Sequence, residues 1–177
     1  MSKIKKIKGR QVFDSRGNPT VEAEVILQDG SIGRAIVPSG ASTGRHEAHE
    51  LRDTNKDYLN KSVFKAVENI NDIIKKTLTG KTSTNQNKID ETLINLDGTD
   101  NKSKIGANAI LAVSIANLKA AAKFSKKDIY RYIDEGKNSE FFIPYPLMNI
   151  INGGAHANNS IEIQEFMIRP DKAKSFQ

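Results

Sequence analysis

Val21-Glu-Ala-Glu-Val-Ile-Leu-Gln28, then Asp29-Gly30, then Ser31-Ile-Gly-Arg-Ala-Ile-Val37, is the stretch that decides the fold. Both flanks are β-rich, and Asp-Gly between two such runs is a strong hairpin signal because the turn needs positive φ. Upstream, Lys3 to about Phe13 reads as another strand, set off by the turn-rich Asp14-Ser-Arg-Gly-Asn-Pro19. A three-stranded antiparallel meander therefore opens the chain.

Downstream the apolar period lengthens to that of helices. Leu59, Val63, Val67, Ile70, Ile74 and Leu78 fall on one helical stripe, which Gly80 is placed to stop. Ile89, Leu93 and Leu96 repeat the pattern on a shorter helix, with Ser83 and Gln86 spaced as a capping box and Asp97-Gly98 after its end. Leu111, Ile115, Leu118 and Ala122 make a third stripe. The alanines around it let another element approach closely, so this helix is expected to be the most buried. Strands followed by helices give an α+β class.

Near Glu135 the pattern breaks. Gly136-Lys-Asn-Ser is linker-like and Pro144-Tyr-Pro146 imposes an extended path. Leu147 to Ile151 reads as a strand, Asn152-Gly-Gly154 as a turn, and Ile161 to Ile168 as another strand-like run. No helices follow to cover a parallel sheet before Gln177. We therefore expect one domain over residues 1–135, then a linker and the opening of a second over 136–177 that is cut off, so that the sequence is a piece of a longer chain.

Composition narrows the function classes. The 177 residues carry 27 Lys+Arg against 21 Asp+Glu, a formal charge of +6, and no cysteine. Disulfides, thiolate metal sites and cysteine nucleophiles are thereby excluded. No apolar run suits a membrane span, and the charged N-terminus has no apolar segment of a secretory signal; a cytoplasmic location is expected. Lys3, Lys5, Lys6, Lys8 and Arg10 put +5 into the first ten residues, leaving +1 for the rest. They interleave with Ile4, Ile7, Val12 and Phe13 and lack a set of stacking aromatics, which argues for a solvated strand face over a nucleic-acid contact.

Three segments could carry chemistry. Pro38-Ser-Gly-Ala-Ser-Thr-Gly44 is small and glycine-bearing, able to approach a phosphate or offer hard oxygens to Mg²⁺, but it lacks the Gly-Lys-Ser/Thr ending of a P-loop. As a lone motif, a plain connection is the commoner reading. His46 and His49, beside Glu47 and Glu50, have no His-Glu-x-x-His order and too few further ligands for zinc, so two exposed histidines are the better reading. His156 follows Asn152-Gly-Gly-Ala155 and precedes Asn158, Asn159, Glu162, Gln164 and Glu165, a polar loop running into a strand end where groups could converge. Lone loop histidines are more often simply exposed.

Asp14-Ser-Arg-Gly-Asn-Pro-Thr-Val21, Val37-Pro-Ser-Gly-Ala-Ser-Thr-Gly44, Glu50-Leu-Arg-Asp53, Lys65-Ala-Val-Glu-Asn69, Gly106-Ala-Asn-Ala-Ile-Leu111, Met148-Asn-Ile-Ile-Asn-Gly-Gly154, His156-Ala157 and Gln164-Glu-Phe-Met-Ile168 together closely resemble the enolase family, in register across essentially the whole sequence. The resemblance implies a small α+β cap domain followed by the opening of a TIM-like (β/α)8 barrel. It implies a hydro-lyase that reversibly dehydrates 2-phosphoglycerate to phosphoenolpyruvate in glycolysis with two Mg²⁺, and a homodimer formed through the cap domain with Arg16 near the contact. Carried over by position, Ser39 is the loop residue that ligates the second Mg²⁺. His156 closes on substrate, Gln164 contacts it, and Glu165 helps position the leaving hydroxyl.

Adjacent residues of a regular strand face opposite ways, so Gln164 and Glu165 can both serve one site only at an irregular strand end. The family's proton-transferring Glu and Lys, its three carboxylates for the first Mg²⁺ and its phosphate-binding Arg match nothing before Gln177. The 177 residues are accordingly expected to be inactive alone, and a cap domain kept as a binding or interaction module is the competing reading.

Overall fold

In the computed structural model, residues 2–40, 44–54, 56–135, 137, 140–173 and 175 are described. Ala41, Ser42 and Thr43 of the glycine-bearing loop, and Gly136, Asn138 and Ser139 of the expected linker, lie outside the described residues. The chain divides into two compact units, one of Met1–Ser39 with Arg45–Lys137 and one of Gly40–Gly44 with Asn138–Gln177.

The first unit is α+β. Strands β1 (Ile4–Phe13), β2 (Pro19–Leu27) and β3 (Ile32–Val37) form an antiparallel sheet in the order β1-β2-β3. The hairpin after β2 is not a two-residue turn with positive φ at both positions. Leu27 N–H donates to Ser31 O and Gly30 N–H to Leu27 O, and only Gly30 takes positive φ (+91°). That is the three-residue loop in which a glycine relaxes the final step.

Alternation along β2 sends Val21, Ala23, Val25 and Leu27 into the core and Glu22 and Glu24 to the other face, where both are also buried. The register explains how: Arg10 of β1 lies opposite Glu22, and Arg34 of β3 opposite Glu24. Arg10 donates to Glu22 (2.6 Å) and Glu24 (3.1 Å), and Arg34 to Glu24 (2.6 Å). The Arg34 hydrogen bond, joined by that of Arg10, holds the Glu24 carboxyl below the usual range despite its burial.

Helical structure runs from α1 (Phe64–Glu68) through a π-helical segment (Asn69–Ile74) into α2 (Lys75–Leu78), followed by α3 (Gln86–Asp97), α4 (Ala107–Phe124) and α5 (Ile129–Ile133). Ile70, Ile74 and Leu78 are fully buried as their spacing requires, but Leu59 is 85% exposed with φ +58° in a separate turn. The helix cannot reach back to it because its start is set from a distance. Asp53 accepts from Phe64 N–H, Lys65 N–H and Ser62 Oγ, which satisfies the first-turn donors there. The capping box at Ser83 is also not formed. Asn85 is the cap, its side chain accepting from Lys88 N–H, while Ser83 is buried beneath Asn117 and accepts from its amide through the backbone carbonyl.

The expected stripe on α4 is not its main buried face, although Ala122 is buried and Ile115 packs partly against the core. Leu111 is 48% exposed and Ile115 and Leu118 only half-buried, whereas Ala109, Ala112, Ala116 and Ala120 are fully buried. Gly33 of β3 gives the reason: a Cβ there would stand 2.0 Å from Ala116 O and 2.4 Å from Ala120 N. Helix backbone touches strand backbone, so only small side chains fit the contact. The close approach that the alanines suggested is real; it is the alanines themselves that make it. Gly9 of β1 makes room for a side chain of the π-helical segment, its absent Cβ lying 2.9 Å from the Cβ of Ile70.

The second unit holds β4 (Met148–Asn152) and β5 (Glu165–Ile168), paired antiparallel. The two strand-like runs pair with each other, and β5 is shorter than its apolar run, since Ile161 and Ile163 lie outside the ladder. Both are exposed, as is Ile168. Among the described residues no helix is long and apolar enough to cross a membrane.

Candidate functional site

The site residues marked in the sequence fall into two groups, one in each unit. In the first unit, β3 ends at Val37 and Pro38 leads to Ser39. Ser39 Oγ donates to Glu50 Oε1 (2.5 Å) and accepts from Arg52 Nη2 (2.6 Å), which also donates to Glu50 Oε1 (2.8 Å). The other guanidinium nitrogen, Nη1, donates to the carbonyls of Pro19 and Lys61. One arginine thus joins the start of β2, the end of β3 and the segment before α1. It had no role in the sequence reading, because nothing local in Glu50-Leu-Arg-Asp53 announces the three acceptors outside it, Pro19 O, Ser39 Oγ and Lys61 O. His46 and His49 are both exposed, and neither lies in a helix.

A magnesium ion takes about six oxygen ligands, several commonly from carboxylates and water. Among the described residues no group of three or more His, Asp or Glu side chains is gathered. The hydroxyl of Ser39 is engaged by a carboxylate and a guanidinium, and the latter's positive charge opposes a divalent cation at the same oxygen. These residues do not by themselves fit a magnesium site.

The second unit brings three marked residues together. Its scaffold begins at Gly153, where a Cβ would lie 2.3 Å from Ile161 O and 2.5 Å from Ile163 O, so the end of β4 can touch the 161–163 stretch only without a side chain. Gly153 N–H donates to Gln164 O (3.0 Å) and Gly154 N–H to Ile161 O (2.8 Å). The chain then turns through a short 3-10 segment, Gly154–His156, and His156 N–H returns to Gly153 O. This places the imidazole between two neighbours. Nδ1 is 2.7 Å from Glu165 Oε1, and Nε2 is 3.2 Å from Gln164 Nε2. With Nδ1–H donating to the carboxylate, the free lone pair on Nε2 accepts from the Gln164 amide.

The two strand neighbours serve one ring because Gln164 lies just before β5 and Glu165 is its first residue. They approach opposite edges of the ring, so divergent side chains converge on it. The β4–β5 register also shifts between Asn149 and Ile151, inside the ladder opposite Met167 and Phe166. His156 and Glu165 keep 24% and 31% of their side-chain surface exposed, so both can meet a ligand.

Residues 4–133 match the family model for the enolase N-terminal domain, and residues 140–177 that for the enolase C-terminal TIM barrel domain. The chain belongs to the enolase family. The first match spans the α+β unit, with its three-stranded antiparallel sheet and helices. The second takes in the whole His156, Gln164 and Glu165 cluster, so all three lie in the part of the chain related to the enolase barrel. Enolases are lyases and generally depend on magnesium; among the described residues of this chain no metal site is formed.

Chemically, the cluster pairs a proton-carrying base with a carboxylate and an amide. A neutral imidazole held by Glu165 can accept or relay a proton at Nε2, and once protonated it offsets the carboxylate and favours an anionic ligand. Asn159, which the sequence marked only as a polar neighbour, enters the same cluster through the backbone: its amide donates to Asn152 O (3.0 Å) and accepts from Ile161 N–H (3.0 Å).

Proposed function

We propose that this chain supplies part of the active site of an enolase, a cytoplasmic, homodimeric, Mg²⁺-dependent hydro-lyase that reversibly dehydrates 2-phosphoglycerate to phosphoenolpyruvate in glycolysis. The observation that carries the reading is the convergence of Gln164 and Glu165 on the two ring nitrogens of His156 within the stretch related to the enolase barrel. Residues 1–135 are the cap domain in this reading, and 136–177 the linker and opening of the barrel.

Each side chain then has a task suited to its chemistry. His156, positively charged when protonated, attracts the phosphorylated substrate and closes over it. Gln164 offers amide donors that orient the substrate without adding charge. Glu165, turned toward the departing hydroxyl, matters most as charge shifts during its loss. Ser39 would be one oxygen ligand of a bound metal only if its hydroxyl were released from Arg52 and Glu50, and a bound Mg²⁺ would supply stabilisation of negative charge on the substrate. The reading assigns none of the 177 residues to the proton-transferring Glu and Lys of the family, so the chain alone is expected to give no turnover.

The test is steady-state kinetics of phosphoenolpyruvate formation by the enzyme that carries these residues with a complete barrel. Glu165→Gln should lower kcat by roughly 10²-fold or more, the scale for a preorganised polar group, with a smaller change in KM. Ser39→Ala should shift the Mg²⁺ dependence instead. Unchanged kcat in the first variant together with normal metal dependence in the second would refute the assignment of both residues. An interaction module that merely keeps the cap domain would show no such chemistry in any longer form of the chain.

A further inference from the structure

Between Gly154 and Ile161 the chain carries His156 away from the strands and back. The upstream foot of this excursion is tied by two backbone hydrogen bonds, Gly153 N–H to Gln164 O and Gly154 N–H to Ile161 O. The downstream foot is tied differently. Asn159 Nδ2 donates to Asn152 O at the end of β4 (3.0 Å), and Asn159 Oδ1 accepts from Ile161 N–H (3.0 Å). Among the described residues of the 157–161 stretch, no other side chain is recorded in a hydrogen bond. Asn152 is in turn held from within β4, its Oδ1 accepting from Asn149 Nδ2 (2.6 Å).

We propose that Asn159 is a positioning residue for the His156 site. It fixes the distance between the end of β4 and the return of the loop, and so holds the imidazole where Nδ1–H meets Glu165 and Nε2 meets Gln164. The assignment rests on the reading of His156 and Glu165 as site residues, and adds to it a residue that touches neither substrate nor the ring. A side-chain amide suits the task because one group both donates and accepts, on two different segments. Without it the downstream foot is free to slide, and the ring can turn to its other tautomer or out toward water. The consequence for the enzyme is a histidine whose proton sits on the wrong nitrogen for part of the time, which weakens substrate closure without altering the groups that perform it.

The test reads the ring directly. Two-bond proton–nitrogen correlation spectra of the ¹⁵N-labelled 177-residue chain report which nitrogen of each neutral histidine bears the proton. His46, His49 and His156 are the three histidines, and a His156→Gln variant identifies the relevant signal. In the unaltered chain His156 should be protonated at Nδ1. Asn159→Ala should reduce the preference for that tautomer by about fivefold, the equilibrium factor worth one neutral hydrogen bond, while the amide signals of β4 and β5 stay in place. Asn159→Asp keeps the acceptor for Ile161 but not the donor to Asn152, and should lie between the two.

A purely structural role would instead displace the β4 and β5 amides along with the ring. An unchanged His156 tautomer in both variants overturns the proposal, as does an unstructured histidine signal in the unaltered chain. Should Asn159→Ala lose the β4 and β5 signals, Asn159→Asp decides: an unaltered tautomer there is again a refutation. Failure of the enolase reading is visible separately. Glu165→Gln kinetics can refute the catalytic role of Glu165 while the tautomer result stands, and an Nε2-protonated His156 indifferent to Glu165→Gln would refute the site itself.

Discussion

Replacing Gly33 with alanine adds one methyl group at the point where β3 and α4 touch. Ordinarily that change in a strand is mildly favourable, about 0.5–1 kcal/mol, since glycine loses more backbone freedom on folding than alanine. Here the new carbon would stand 2.0 Å from Ala116 O, 2.4 Å from Ala120 N and 3.0 Å from Lys119 C, where ordinary contact begins at 3.4 Å. The obstacle is helix backbone and cannot rotate aside as a side chain would. To make room, α4 has to retreat by more than an ångström along a face packed through Ala109, Ala112, Val113, Ala116 and Ala120, all fully buried. Overpacking costs typically 1–3 kcal/mol and occasionally more, and a shifted helix also gives up dispersion contacts along its length. We expect a net loss of about 3 kcal/mol or more, a large share of the roughly 5–15 kcal/mol that holds a domain together.

Urea unfolding followed by far-ultraviolet circular dichroism suits the measurement, since α1 to α5 all lie in the first unit. Gly30→Ala is the control. Nothing lies within 4 Å of its missing Cβ, but its φ is +91°, so it should show only the cost of backbone strain, about 1–2 kcal/mol. If Gly33→Ala unfolded at the same urea concentration as the unaltered chain or above it, with an unchanged slope, the backbone contact between β3 and α4 would be refuted.

Two further predictions follow from other parts of the chain. Burial pushes the carboxyls of Asp53 and Asp97 up, but the hydrogen bonds from Ser62 and the Lys65 and Phe64 N–H groups, and from Ile105 N–H and Thr99, outweigh it and leave both below their ordinary value of 3.8. Their stabilisation is thus complete above about pH 4 and is lost as acid protonates them below it; thermal melts should hold steady from pH 7 to 5 and fall toward pH 3, with Asp97→Asn weaker at neutral pH and flatter in acid. In the second unit, Gly153→Ala should break the contact with Ile161 and Ile163 and release Gln164 from the ring, seen as loss of the Nδ1–H tautomer of His156 with the urea transition of the helices unchanged.

What could be read from the sequence followed how local the cause was. The strands of the meander were legible because alternation and turn chemistry act within a few residues, yet the turn type was not, since only Gly30 takes positive φ. Leu59 fitted the helical spacing and still lies outside, because the helix start is set by Asp53, a residue eleven positions before Phe64 that becomes its cap only when the chain has folded. Leucines on α4 looked like its core face by hydrophobicity, but Gly33 admits the alanines and turns Leu111 outward. In the candidate site, spacing alone could not bring residue 156 to residues 164 and 165; family resemblance marked them, and the bare backbone of Gly153 is what lets the two segments meet. Arg52 and Asn159 each have one partner two residues away, Glu50 and Ile161, but the bonds that give them their roles reach Pro19, Ser39 and Lys61 in one case and Asn152 in the other, and nothing in the local sequence marks those.

Three asparagines show why a role such as that of Asn159 is invisible from residue type. Asn71 pairs with Gly9 both ways, donating to its carbonyl (3.2 Å) and accepting from its N–H (2.9 Å), and so closes the outer edge of β1. Asn108 does the same to Leu51, at 3.0 Å and 3.2 Å. Each clasps both polar groups of a single residue, which satisfies a buried or edge backbone and pins one point of the chain. Asn159 makes the same two kinds of bond, but to Asn152 on one side and Ile161 on the other. A clasp on one residue fixes a position; a clasp on two fixes the separation between them. In the first unit that chemistry supports the fold, whereas in the second it sets the width of the loop that carries His156. The aspartate substitution separates these cases physically, because a carboxylate can still accept from an N–H group but can no longer hold the carbonyl of the opposite foot.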